Sequence, residues 1–338
     1  MNFHFSVTQI GSLPFSDVKG TCIWIAELFH EIPFWPQLVK RSIFEDMIIQ
    51  FSEGIPFLRI SEEKRAVFYI KEDYDEALSF YEDFLSEKTE RFSISYDFAP
   101  SLYEMVEIVK DKKCSFIKGQ SVGPVTFSVA IKDENGRSAA SDPEMFDILK
   151  KAISAKAVWQ IRKLKETGKR VILFFDEPYL SALGSPFSAI TKEEAEGALK
   201  EVMEYVRKKE DAILGIHCCA NTDWSMIFSI KPDIISFDAF GFMESFLIYK
   251  EDLLRFIQEG GTVAWGIVPT RDEEFENSDI EFLYSKIRSA FEKLKKWGAD
   301  VKNSIITPSC GMGGMKEENA IKATQILLEL SSRLRWER

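Results

Sequence analysis

The chain has 338 residues, 45% of them hydrophobic and 29% charged, enough for a soluble globular protein with a substantial core. Its formal net charge is −11, and basic residues are interleaved with acidic ones, as in KRSIFED and EKLKKWGAD, which argues against a nucleic-acid or anionic-membrane surface. No apolar stretch approaches the roughly 20 residues that span a bilayer, and neither a signal-peptide pattern nor a disulfide framework is present, so a cytoplasmic protein with 5 reduced cysteines is expected.

Short β-rich runs alternate with longer amphipathic stretches, the pattern of a parallel α/β protein. A first strand is predicted near 5–10 and ends in Ile10-Gly-Ser-Leu-Pro14. FLRISEEKRAVFYI, from Phe57 to Ile70, reads as two β runs around the polar turn 61–65, a hairpin. A helix over 72–91, strands near 93–97 and 114–118, and a long helix over 142–167 follow. Ser141-Asp-Pro-Glu144 opens that long helix and Gly168 stops it. Strands near 170–176, 211–217, 233–238, 262–267 and 304–308 then alternate with helices over 192–208, 244–259, 279–297 and 316–334. Thr191-Lys-Glu-Glu194 has the pattern of an N-terminal cap, and Gly260 and Gly298 follow helices as stops. Eight strands with no repeat or linker between them predict the α/β class: a single (β/α)8 TIM-barrel domain over residues 1–338, with the hairpin near 57–70 added to it. Such a barrel keeps its active site at the C-terminal ends of its strands.

His217, Cys219, Asp238 and Cys310 fall at or just beyond the ends of the apolar runs AILGIHCC, DIISFDAF and SIITPSC. One imidazole, two thiolates and one carboxylate are the ligand types of a tetrahedral zinc site. Side chains alternate along an extended segment, so His217 and Cys219 share a face while Cys218 points away. Taken singly, each cysteine reads more often as a small buried apolar residue and the histidine as a hydrogen-bonded core residue. As a set at strand ends they read as a metal site. The long intervals between Cys219, Asp238 and Cys310 fit an active-site mouth rather than a structural zinc, whose ligands come in close pairs. A metal carrying this much ligand charge is poor at activating water but holds an incoming thiol as a nucleophilic thiolate. Alkyl transfer to sulfur is therefore expected over hydrolysis.

Other segments carry two readings each. The backbone and hydroxyl of Ile10-Gly-Ser-Leu-Pro14 could bind a carboxylate or simply form a tight turn. At least one acid of Asp176-Glu177-Pro178, after the apolar VILFF run, should face the cavity. Gly119-Gln-Ser-Val-Gly-Pro-Val-Thr126 reads first as a structural turn. Trp35 and Trp265 could wall the site, with core packing the default in a chain of 28 Phe and 7 Trp.

Ile10-Gly-Ser-Leu-Pro14, Gly123-Pro-Val-Thr126, Asp176-Glu-Pro178, His217-x-Cys219, Ile235-Ser-Phe-Asp238 and Cys310-Gly311, in this order and at these strand ends, resemble the cobalamin-independent methionine synthase family, catalytic C-terminal barrel type. That family belongs to the wider uroporphyrinogen-decarboxylase-like superfamily of barrels. The resemblance implies a zinc-dependent methyltransferase acting on homocysteine or a related small thiol. It implies zinc on His217, Cys219, Asp238 and Cys310, and Ile10, Ser12 and Asp176 around the amino-acid end of the substrate. Where the family usually has Glu as acidic ligand, this chain has the shorter Asp238. The family's catalytic histidine has no counterpart, since Ala264-Trp-Gly-Ile-Val-Pro-Thr270 lacks one and the other two histidines are His4 and His30. Full-length members carry a second barrel that helps bind folate, whereas this length is expected to hold one. Short single-barrel relatives imply a corrinoid protein as methyl donor, supplied by a partner because no cobalamin-binding motif is present here.

Two other functions compete. A decarboxylase of the porphyrin branch would need basic groups for many carboxylates, and IGSLPFSD offers no arginine. A noncatalytic zinc- or corrinoid-docking protein is the other, raised by the missing histidine.

Overall fold

Runs such as Val171-Ile-Leu-Phe-Phe175 are apolar at consecutive positions, which fits strands covered on both faces. The computed structural model describes residues 3–185 and 188–336. In chain order its strands are β1 (Ser6–Val7), β2 (Leu58–Ser61), β3 (Ala66–Tyr69), β4 (Phe116–Val122), β5 (Arg170–Asp176), β6 (Ile213–Cys218), β7 (Ile234–Phe237), β8 (Thr262–Val268) and β9 (Ser304–Pro308). Seven of them form one curled sheet, a half-barrel, in the order β1-β9-β8-β7-β6-β5-β4, with every pair parallel. β2 and β3 pair antiparallel as the expected hairpin.

Alternation sorts the side chains. Ile172, Phe174, Ile213, Ile234, Ala264 and Ile305 fill the concave face near the strand starts, joined by Phe3 and Ile32. The opposite face packs on helices, among them Pro143–Lys165, Lys192–Lys209, Ile280–Lys296 and Glu317–Trp336. Thr191 and Glu194 form a reciprocal capping box. In the 141–144 segment the cap is Asp142, which accepts from Glu144 and Met145 N–H with Pro143 in the first turn. Gly168, Gly260 and Gly298 end their helices at φ of +72°, +94° and +87°, where a Cβ would be strained. No helix among the described residues is long and apolar enough to cross a membrane.

The eighth strand differs from expectation. Residues 93–97 form no strand: Ser95 N–H bonds the Glu53 carboxylate at 2.8 Å, and the Ser95 carbonyl accepts from Phe98 and Ala99 in a turn leading into helix Pro100–Lys110. The gap between β1 and β4 is spanned instead by 31–37. Lys118 N–H donates to the Pro33 carbonyl at 2.8 Å on one side, and Gln37 N–H donates to the Gly11 carbonyl at 3.1 Å on the other. Pro33 and Pro36 remove two backbone donors, so only isolated bridges form where a ladder would otherwise run. A full eight-stranded (β/α)8 sheet is accordingly not what the hydrogen bonding draws. The predicted helix 244–259 is also two, Ala239–Leu247 and Lys250–Gln258, and that over 72–91 shortens to Tyr74–Leu85 with a separate turn at Thr89–Phe92.

Candidate metal centre

β6 carries His217 on its concave face, in register with Asp176 of β5 and Ser236 of β7. Cys219 follows two residues later, and Cys310 lies just past β9. One ligand atom from each of His217, Cys219 and Cys310 lies within 4.8 Å of the other two. His217 Nδ1 is 2.9 Å from Ser236 Oγ, while its Nε2 is buried and has no hydrogen-bond partner. A buried polar atom left alone is costly. In the tautomer that donates Nδ1–H to the serine, Nε2 presents a lone pair, the state in which a histidine ligates a metal.

The two thiols are bonded to each other. The hydrogen bond from Cys310 holds Cys219 well below the ordinary thiol range against desolvation, with His217 adding to the lowering. That same bond, with burial, holds Cys310 above it. One sulfur thus donates to the other, and a divalent cation bound between them would displace the thiol protons. Donor types, separation and the orphaned Nε2 all fit zinc. Cys218 faces the opposite side as expected: it is fully buried, donates to the Ala220 carbonyl, and its thiol is pushed up to about 12 by burial.

Asp238 stands apart from that triad. Its Oδ1 accepts from Gly241 N–H at 2.7 Å, capping helix Ala239–Leu247, and its oxygens are not in the 4.8 Å group. Burial raises its carboxyl to about 6 against the lowering by the Gly241 bond, and it directly follows β7, next to the strand that carries His217.

The two acids of Asp176-Glu177 divide their work. Glu177 is fully buried and turned outward, accepting from Val125 and Thr126 N–H at 2.9 and 2.7 Å. That contact explains Gly123, where a Cβ would stand 2.2 Å from Glu177 Oε1; the Gly123-Pro-Val-Thr126 segment is not a loop turn but the cap and first turn of helix Pro124–Ala130, whose free N–H groups Glu177 satisfies. Glu177→Ala should leave both N–H groups unsatisfied and cost about 1–3 kcal/mol in urea unfolding, while zinc content stays that of the parent. Asp176 faces inward. Its Oδ1 is buried without a partner, and desolvation raises its carboxyl to about 6 against the lowering by His217 and Lys118.

Ser12 is packed against the glycine segment that follows the late cysteine. A Cβ on Gly311 would stand 2.1 Å from Ser12 Oγ, and that oxygen accepts from Gly313 N–H at 3.3 Å. Ile10 contributes its carbonyl, which accepts from Lys118 Nζ at 2.6 Å. Trp35 and Trp265 are no wall: both are core residues, bonding Gln160 and Ser304. Lys118, Gln120 and Ser236 escaped the sequence reading. The signal was there in Phe116-Ile-Lys-Gly-Gln-Ser-Val122, where polar residues recur with period two in a strand buried on both faces.

No family model matches the sequence, and no curated protein matches it. Among solved structures, the chain is similar to a B12-independent methionine synthase from Shewanella sp. W3-18-1, in complex with selenomethionine, with TM-score 0.61 and 14% identity over 98% of each chain. It is also similar to a methyltransferase from Methanosarcina mazei, with TM-score 0.59 and 16% identity over 97% of this chain and 92% of that one. At these identities the likeness is one of fold, a methionine-synthase-like fold.

Proposed function

We propose that the chain is a single-domain, cytoplasmic, zinc-dependent methyltransferase whose acceptor is the sulfur of homocysteine or a related small amino-thiol. In this reading the 31–37 segment completes an eight-position (β/α)8 barrel around the site. One observation carries the proposal: His217 Nε2, buried and unpartnered, converges with Cys219 and Cys310 at the strand ends. The fold shared with a methionine synthase and a methyltransferase supports it.

His217, Cys219 and Cys310 would hold the metal, with Asp238 as the fourth ligand from the same rim. Zinc there supplies a reactive thiolate at neutral pH, where a free thiol of pKa about 8.5 is mostly protonated. Ser236 fixes the His217 ring. Asp176, with an open oxygen at the mouth, would receive the substrate ammonium, and Ile10 and Ser12 would frame the amino-acid end.

The donor follows from what segment 264–270 lacks. Methyltetrahydrofolate leaves through a nitrogen that must be protonated, and no histidine stands there to deliver the proton. A corrinoid leaving group needs no proton, only alignment with the sulfur. A corrinoid protein is therefore the proposed methyl-donor partner. Assay of homocysteine methylation should give measurable transfer from free methylcobalamin, faster transfer from a protein-bound methylcorrinoid, and little from methyltetrahydrofolate. Turnover with methyltetrahydrofolate at or above the corrinoid rate would overturn the donor assignment. Absence of transfer from every donor would favour a docking protein.

A further inference from the structure

Beneath the mouth lies a buried cation that no step above uses. Lys118 sits on the concave face of β4, in register with Ile172 of the interior cluster, and is 0% exposed. Its Nζ donates to the Ile10 carbonyl at 2.6 Å and to Gln120 Oε1 at 3.3 Å, and stands 4.7 Å from the centre of the Phe174 ring. Gln120 is itself held, since its Nε2 donates to the Trp35 carbonyl at 3.0 Å. An apolar side chain would fill this interior more cheaply than an ammonium taken out of water.

Two features say what the ammonium does. β1 and β4 are the sheet edges that no ladder joins, and the Lys118–Ile10 bond ties the end of β1 across that gap. The backbone that this bond fixes runs directly into Ser12, whose Oγ accepts from Gly313 N–H at 3.3 Å in the segment after Cys310. Burial lowers Lys118 to about 8, so the side chain is mostly charged at neutral pH. The ammonium thus fixes Ile10 directly and, through the turn that follows it, Ser12, two of the three groups that would surround the amino-acid end of the substrate.

Building on the thiol-methylation reading, we propose that Lys118 is a positioning residue for the amino-acid end of the substrate. It fixes the Ile10 carbonyl, and with it the turn that carries Ser12, without touching the substrate.

The test compares K118M with the parent, both zinc-loaded, for binding of homocysteine and of 1-propanethiol by calorimetry. The homocysteine Kd should rise about tenfold or more, the propanethiol Kd should stay within about twofold, and zinc per chain should be unchanged. K118Q keeps a donor for the Ile10 carbonyl without the charge, and should show the same selective loss to a smaller degree. In a D176N background K118M should still weaken homocysteine further, because Lys118 acts through the Ile10 turn and not through Asp176. Equal weakening of both thiols, no change in either, or no added loss in the D176N background would overturn the proposal. If K118M does not fold, the same comparison on K118Q decides. A parent that binds zinc but neither thiol, or no zinc at all, would instead strike the functional reading, and this proposal with it.

Discussion

Cys219→Ala and Cys310→Ala should each abolish stoichiometric zinc. The three donor atoms lie within 4.8 Å of one another, so a single ion can engage all of them, and losing a thiolate removes both charge and a ligand from a tetrahedral site. Asp238 cannot compensate, because it is already counted as the fourth ligand and no further donor stands in the group. Cys218→Ala is the control: its thiol is buried on the helix-facing side, bonded to the Ala220 carbonyl. Its metal content should match the parent. Retention of full zinc by both Cys219 and Cys310 variants, measured by elemental analysis after dialysis, would remove the site.

Asp176→Asn should raise the KM for homocysteine on the order of 10- to 100-fold while leaving zinc content intact. The change removes a charge-assisted contact to the substrate ammonium, worth roughly 1.5–3 kcal/mol. Simple alkyl thiols lack the ammonium and should respond little. Glu177 gives the contrast, because its carboxylate is spent on Val125 and Thr126 N–H. Steady-state kinetics on the two thiols decide the matter, and unchanged KM for homocysteine would leave Asp176 a structural group.

Much of this arrangement is legible in the sequence, and the exceptions have physical causes. Apolar runs marked β5 to β9 closely because strands buried on both faces leave continuous Val, Ile and Phe, and the strand ends located His217, Cys219 and Cys310. Alternation alone separated Cys219 from Cys218. The strand predicted at 93–97 failed because a short apolar-polar alternation does not reveal that Ser95 N–H is taken by Glu53, a partner distant in sequence. The 31–37 segment was passed over because its prolines suppress the strand pattern even while its remaining donors bridge both neighbours. Asp238 shows another limit. Residue type and position place it at the rim, but its capping bond to Gly241 depends on where the next helix begins. Lys118 was missed because lysine is ordinarily a surface residue, and only burial sets it apart.

Zinc content combined with zinc X-ray absorption, before and after homocysteine is added, tests the central claim most directly. The expected result is one zinc per chain with two sulfur donors from Cys219 and Cys310, and a further sulfur on addition of homocysteine. Absence of zinc, or a sulfur count that homocysteine leaves unchanged, would contradict thiol activation at this site.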